Sequence, residues 1–289
     1  MFFKRYIKST LSLLKSVYCT VKNIIMSFTS KVIWITGASS GIGKALAIEL
    51  SNQDAKLILS SRNREDLENV KNICKVKSNI AILPLDLEDY TNLKSKVTAA
   101  LSFFGKIDIL VNNGGISQRA LIKETDISVD KRVMDINFLG TIALTKAILP
   151  HFIENKSGQF VVTTSIVGKI GTPLRSSYAA SKHALHGFFD SLRAEHHKDN
   201  IAVTLVCPGF VNTNISMNAL TGNGSPQNKM DTATKNGIDT KKFASLMAKA
   251  IKNKKEEVYI AGVKEKLGVY AKRFAPKLVS IMIRKLSVT

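Results

Sequence analysis

The sequence predicts a single α/β domain, a doubly wound parallel sheet flanked by helices, and three observations carry that expectation. Short apolar, β-rich runs recur between longer helical patterns, as strands do when right-handed crossovers join them into a parallel sheet. The first run, Lys31–Thr36, leads directly into a glycine-rich turn and a helical pattern. The polar and glycine-containing motifs fall at the carboxyl ends of the runs, where ligands bind in open sheets of this kind. A chain of 289 residues can bury a sizeable core. The expected organisation is a domain over 31–262, preceded by a basic segment 1–30 and followed by a basic tail 263–289.

Each element has its own justification. After Thr36 comes Gly37-Ala38-Ser39-Ser40-Gly41-Ile42-Gly43, and a helical pattern follows over Lys44–Leu50. Glycines in such a turn let the backbone approach a pyrophosphate whose charge rests on the helix N-terminus, the Rossmann-type arrangement. Gly37, Ser39, Ser40, Gly41, Ile42 and Gly43 are therefore candidate cofactor ligands. The second strand, Ala55–Ser60, ends in Ser60-Ser61-Arg62. An acid there would grip the ribose hydroxyls of NAD(H), whereas an arginine accommodates a 2′-phosphate, so NADP(H) is favoured over NAD(H). Arg62 could also simply open the polar helix Asn63–Lys75. A third strand, Ile80–Leu85, ends in Asp86-Leu87 and precedes a helix from Tyr90 to Phe104; a fourth, Ile107–Val111, ends in Asn112-Asn113-Gly114-Gly115. A long helix near Val129–Pro150 contains Asn137, and the strand Gln159–Thr164 delivers Ser165. The strand Ile201–Val206 ends in Cys207-Pro208-Gly209.

Tyr178 and Lys182 lie four residues apart, and on a helix such side chains share one face. An ammonium about 4–5 Å from a phenolate, at an effective dielectric of about 20, attracts it by roughly 3–4 kcal/mol. That would lower the phenol's proton affinity towards neutrality. Taken alone, the pair is also an ordinary helical neighbour with a solvated lysine.

The spacing TGxxxGxG, rather than GxGxxG, resembles the short-chain dehydrogenase/reductase superfamily, and the likeness runs from Lys31 to about Ala261. The resemblance implies an NAD(P)-dependent oxidoreductase acting on CH–OH groups, with Asn137, Ser165, Tyr178 and Lys182 as catalytic tetrad. Ser165 and Tyr178 would also bind substrate. Asp86 matches the family's adenine-contacting aspartate, with Leu87 beside it, and Asn113 belongs to its NNAG motif. Here Gly114 replaces the usual alanine, a change expected to loosen the turn. Pro208, Gly209, Val211 and Thr213 occupy the positions that meet the nicotinamide carboxamide, and Tyr178 and Lys182 complete the cofactor contacts. A homodimer or homotetramer is implied as well. Val129-Asp-Lys-Arg-Val-Met134, Pro173-Leu-Arg-Ser-Ser-Tyr178 and Met230-Asp-Thr-Ala-Thr234 resemble the dehydrogenase/reductase member 7 and 7B branch, which implies membrane association and lipid-like ketone or alcohol substrates. A 3-oxoacyl reductase, and a non-catalytic NAD(P)-binding sensor on the same fold, are the competing readings.

Composition narrows the partners. The net charge is +20, and five basic residues without an acid lie in the first thirty positions. Thirteen Lys/Arg against three acids follow from Lys241 onward. Such an excess suits an anionic membrane surface or nucleic acid; no aromatic–arginine interleaving marks a nucleic-acid groove, so lipid is favoured. Ile7, Leu11, Leu14, Tyr18, Val21, Ile25 and Phe28 form a helical stripe interrupted by Lys8, Lys15 and Lys22, too broken for the roughly twenty apolar residues of a membrane span. An interfacial helix, a transit-like leader or untranslated sequence before Met26 fit instead. Membrane association through this segment is expected, and identical partition of full-length protein and a Met26 start between soluble and membrane fractions would contradict it. Cys19, Cys74 and Cys207 are scattered, as in a reducing compartment. The expected location is therefore cytoplasmic, or peripheral on an intracellular membrane, and not secreted. The five histidines lack metal-ligand companions in sequence and read as surface helix residues, with no metal. Asn214–Gly237 reads as a mobile substrate loop with short helices, or as a disordered insertion. Leu267, Tyr270, Phe274, Leu278 and Met282, with lysines between them, read as an amphipathic helix at a membrane, over the pocket or in a dimer seam.

Overall fold

The computed structural model describes residues 28–284. The expected interfacial helix of the first thirty residues lies almost wholly outside the described residues. Phe28, assigned to its apolar stripe, is buried in the core of the domain.

Seven parallel strands form one sheet in the order β3-β2-β1-β4-β5-β6-β7. They are β1 (Val32–Thr36), β2 (Lys56–Ser60), β3 (Ile80–Ile82), β4 (Ile109–Asn112), β5 (Gly158–Thr163), β6 (Ile201–Pro208) and β7 (Glu257–Ile260). The order reverses after β3, between β1 and β4, and this is the switch point at which a doubly wound sheet opens a crevice. Both faces of the sheet are covered, which is why the strands read as continuous apolar runs rather than alternating ones. In β1, Ile33 and Ile35 enter one core, while Val32 and Trp34 enter the other. The Trp34 indole donates to Ser60 Oγ at 2.8 Å, and that hydroxyl donates to Leu83 O at 2.6 Å, so these two polar groups inside the second core are satisfied.

Helices α1 (Gly41–Asn52), α2 (Arg64–Ile73) and α3 (Leu93–Phe104) follow the first three strands. Between β4 and β5 the chain runs through α4 (Ile127–Met134), a π-helical stretch Asp135–Gly140, and α5 (Thr141–Glu154). This run of 28 residues is long and apolar enough to cross a membrane by length and composition. Val129, Val133, Leu144, Ile148 and Phe152 on it are buried within the domain. Helix α6 (Ser176–Glu195) buries Ser181, Lys182, Leu185, His186, Phe189 and Leu192 on one face.

The strands β7 and the helix α8 (Thr240–Lys252) have no sequence expectation behind them. β7 is a four-residue edge strand behind a run of lysines, too short for a periodicity to show. α8 is capped by Asp239, which accepts from Lys241 N and Lys242 N. It buries Phe243, Met247 and Ile251. The chain closes with a short helix α7 (Thr232–Lys235) before α8, and with α9 (Val263–Phe274) and α10 (Pro276–Arg284) after β7.

Candidate active site

The carboxyl ends of β1, β4, β5 and β6 open into one cavity of about 1440 Å³. At one end lies the glycine turn. Gly37 has φ +63°, in the left-handed region that glycine adopts without strain. A Cβ on Gly43 would stand 2.2 Å from Gly37 O; helix and turn are in contact, and only hydrogen fits between them. Ser40, which precedes α1, makes no side-chain cap hydrogen bond, so the first amides of the helix face the cavity without a side-chain acceptor from it, as an anion site requires. Ser39, Ser40, Gly41 and Ile42 line this end. Arg62 lines it too and is exposed, beside Asp86 and Leu87. The residues present therefore fit a dinucleotide diphosphate with its adenosine towards β2.

Asn113 latches three strand ends together. Its amide nitrogen Nδ2 donates to Thr36 O at 3.1 Å and to Gly37 O at 3.3 Å, its backbone N–H donates to Thr36 Oγ1, and its Oδ1 accepts from Thr163 Oγ1 at 3.1 Å. The sequence predicts that Gly114 loosens this turn; the structure gives the glycine a packing role instead. A Cβ there would meet Leu87 Cδ1 at 2.8 Å, so glycine lets Leu87 close against the turn.

Asn137 sits in the π-helical stretch and is fully buried. Such stretches widen a helix locally and turn a residue out of the regular pattern. Its Oδ1 accepts from Ile116 N at 2.8 Å, and its Nδ2 donates to Ile116 O at 2.9 Å and Ser181 Oγ at 3.0 Å. Ser181 in turn donates to Tyr178 O, tying the β4 loop to α6. Ser165 follows β5, is buried, and accepts from Val167 N at 3.1 Å. Its hydroxyl favours ionisation of Tyr178. Lys182 Nζ lies 5.8 Å from the Tyr178 ring centre and donates to Thr163 O at 2.8 Å. Pro208, Gly209, Val211 and Thr213 line the same cavity.

The electrostatics differ from the expectation that Lys182 drags the phenol downward. Burial raises the proton affinity of Tyr178; the Ser165 hydroxyl and then the charges of Arg119 and Arg175 oppose it. Burial also brings Lys182 down to about 8, since desolvation disfavours the ammonium. Its ammonium donates to Thr163 O and lies over the Tyr178 ring. Arg119 and Arg175 also favour ionisation of Tyr178; no sequence motif marked Arg119, and Arg175 fell within the stretch Pro173–Tyr178 without a role of its own.

Asn214–Gly237 contains the short helix α7, as the expectation of short helices in this stretch allows, and it is tied to the domain at several points. Asp231 in it is buried and holds both Arg119 and Arg175, and Leu220 bridges to Gln118 and Pro226. His186 is not a surface residue: it is buried, with Nδ1 3.5 Å from Glu257 and Nε2 3.9 Å from Cys207 Sγ. Glu257 is already held by Lys169 at 2.8 Å and by the Tyr259 hydroxyl, and burial pushes the Cys207 thiol up to about 12. The tail closes the cavity, with Leu267, Ala271 and Val279 lining it. Glu265 anchors the tail by accepting from Phe210 N at 3.0 Å.

Comparison with known proteins agrees with this geometry. The family model for short chain dehydrogenase matches residues 31–224. The dehydrogenase/reductase SDR family protein 7-like of Anopheles gambiae is 44% identical over 261 residues, covering 88% of this chain and 82% of its own. The dehydrogenase/reductase SDR family member 7 of Homo sapiens is 42% identical over 262 residues, covering 86% and 75%. Among solved structures, levodione reductase superposes with a TM-score of 0.74 at 27% identity, over 83% of this chain and 99% of that one. With a Rossmann-type sheet, a glycine cradle at its switch point and relatives of this closeness, the chain belongs to the short chain dehydrogenase family, in the branch of the member 7 and 7B proteins, and is an NAD(P)-dependent oxidoreductase acting on CH–OH groups.

Proposed function

We propose that this protein is an NADP(H)-dependent carbonyl reductase and alcohol dehydrogenase for apolar, lipid-like substrates, with Tyr178 as its general acid and base. The observation that carries the reading is the convergence of Ser165, Tyr178 and Lys182 on one wall of the cavity that begins at the glycine turn. When bound, a nicotinamide cofactor supplies or accepts the hydride. The chain's own part is to bind the substrate oxygen and move its proton. In reduction, Tyr178 donates its hydroxyl proton to the carbonyl oxygen as negative charge develops there. Ser165 holds the same oxygen and stabilises that charge. Lys182 would hold the ribose end of the cofactor, and Asn137 fixes the loop that leads from β4.

Arg62 is proposed to select the 2′-phosphate. Its replacement by alanine should raise KM for NADPH about fivefold, an exposed ion pair being worth up to about 1 kcal/mol, while KM for NADH changes little. A wild-type kcat/KM that favours NADH would overturn the assignment.

The apolar walls, with Ile166, Ile170, Ile215 and Leu220, support a lipophilic ketone. The tail supports delivery from a membrane surface: Tyr270, Phe274, Leu278 and Ile281 are exposed on α9 and α10 among Lys266, Lys272, Arg273 and Lys277, the pairing of apolar and basic side chains that binds anionic interfaces. A peripheral place on an intracellular membrane follows. Purified protein with NADPH and a panel of steroid, retinal and acyl-dihydroxyacetone phosphate ketones, followed at the nicotinamide absorbance, tests the whole reading. Turnover of at least one is expected, and oxidation by none would favour a binding protein instead.

A further inference from the structure

One carboxylate joins the tail to the turn that leaves β6. Glu265 lies in the first turn of α9, and its two oxygens accept from backbone amides of different parts of the chain. Oε2 accepts from Gly262 N, the residue before the helix, and Oε1 accepts from Phe210 N at 3.0 Å. The first bond caps α9 at its own N-terminus, where a carboxylate is favoured. The second reaches across to the turn after β6. The two meet because they leave neighbouring strand ends: Pro208 pairs with Ile260, and Gly209 N donates to Ile260 O at 3.0 Å. The fit is close, since a Cβ on Gly209 would collide with Glu265 Oε1 and stand 2.8 Å from Ala261 Cβ.

This clasp joins two different parts of the cavity wall. Below it stand Pro208, Gly209, Val211 and Thr213. Thr213 reaches the glycine turn, where a Cβ on Gly41 would meet its Cγ2 at 3.2 Å, and Phe210 O accepts from Ile238 N at 2.9 Å. Above it, Leu267, Ala271, Val279 and Met282 form an apolar roof on the cavity. Gly268 lets that roof approach Ile170, whose Cδ1 would lie 3.6 Å from an added Cβ. Tyr270 meets Tyr259 of β7 edge to face, with ring centres 6.2 Å apart.

We propose that Glu265 is a positioning residue for the reaction: it locks the roof of α9 and α10 to the turn after β6, so that a nucleotide resting on that turn also fixes the apolar wall over the substrate. The inference rests on the placement of the nicotinamide beside residues 208–213. Its physical basis is the direction of one bond. The Phe210 amide is aimed by its turn, and a hydrogen bond weakens steeply once misaligned. Ordering of the turn by a nucleotide strengthens the bond to Glu265, and α9 is ordered with it. The coupling is reciprocal by linkage, so a fixed roof also favours the nucleotide.

Hydrogen–deuterium exchange of the full-length protein, with and without saturating NADP+ or NAD+, whichever binds, tests this. In the wild type, nucleotide should slow exchange over residues 208–213 and, by about fivefold or more, over α9, fivefold being the lower end of ordinary coupling between sites. In Glu265→Ala the slowing over 208–213 should persist and that over α9 should vanish. Glu265→Gln keeps the size of the side chain but offers one acceptor oxygen in place of two, so its roof should respond less than the wild type. Thermal melting accompanies each variant; if Glu265→Ala does not fold, the wild type and Glu265→Gln decide. A wild-type roof that exchanges alike with and without nucleotide would reduce Glu265 to a helix cap and overturn the proposal. A roof still protected in Glu265→Ala would overturn it too, the nucleotide then holding α9 directly, and loss of nucleotide binding in the variants would make Glu265 a nucleotide ligand instead. No slowing over 208–213 in any of the proteins would remove the nicotinamide placement itself, and the inference with it.

Discussion

Replacing Tyr178 by phenylalanine is expected to lower kcat by about 10³-fold, the middle of the range for loss of a positioned acid, while NADPH affinity stays within a few-fold. The separation of the two effects follows from the geometry. Phenylalanine keeps the ring beside Lys182 Nζ and keeps the α6 backbone that Ser181 holds, so the cofactor wall is intact. Only the proton is lost. Single-turnover rates with NADPH and nucleotide binding by fluorescence check both halves, and substantial turnover in the variant would remove the assignment. The pH dependence has a definite sign. Burial raises Tyr178 above its ordinary value, so the proton needed for reduction is present through neutral pH, and reduction falls as pH climbs through that raised value. Alcohol oxidation needs the phenolate and rises over the same range. Burial brings Lys182 down to about 8, so its ammonium charge is lost before Tyr178 gives up its proton on the alkaline side.

The strands and the residues at their ends were legible because each is a local pattern: an apolar run, then a glycine or polar residue at a fixed spacing. Thr36, Gly37, Asp86, Asn113 and Ser165 all follow this form. The boundaries drifted where chemistry and geometry part. Leu83 and Leu85 look like strand but lie beyond the three paired residues of β3, their apolar side chains buried in a connection. What remained hidden was non-local. Arg119, Arg175 and Asp231 are separated by up to 112 positions, and each alone reads as a solvated charge. His186 was read as surface because a polar residue on a helix usually is. It falls on the Tyr178–Lys182 face, two turns on, and is buried for that reason. The direction of the Tyr178 shift was missed from the same cause: sequence spacing shows that Lys182 is near but not that the phenol is buried, and burial is what raises it.

Substituting alanine for Gly43 should raise the Kd for NADPH by about 100-fold, close to 3 kcal/mol, and lower stability by about 1–3 kcal/mol. Gly43 needs no unusual backbone angle, so the effect is one of space. The added carbon would stand 2.2 Å from Gly37 O and 2.7 Å from Asn113 Nδ2. Neither can yield cheaply: Gly37 O belongs to the turn itself, and Asn113 holds the ends of β1 and β5 in register through four hydrogen bonds. Relief must come from moving the turn away from α1, and that displaces the backbone amides from the anion they would hold. Gly187→Ala is the control, since a Cβ there meets nothing within 4 Å and the position is exposed on α6; alanine favours helix, so this variant should melt slightly higher with an unchanged Kd. Titration calorimetry and thermal melting separate the two terms. An unaltered Kd in Gly43→Ala would mean that the dinucleotide does not rest on this turn, and the proposed direction of the whole cavity, from Arg62 to Tyr178, would have to be reversed.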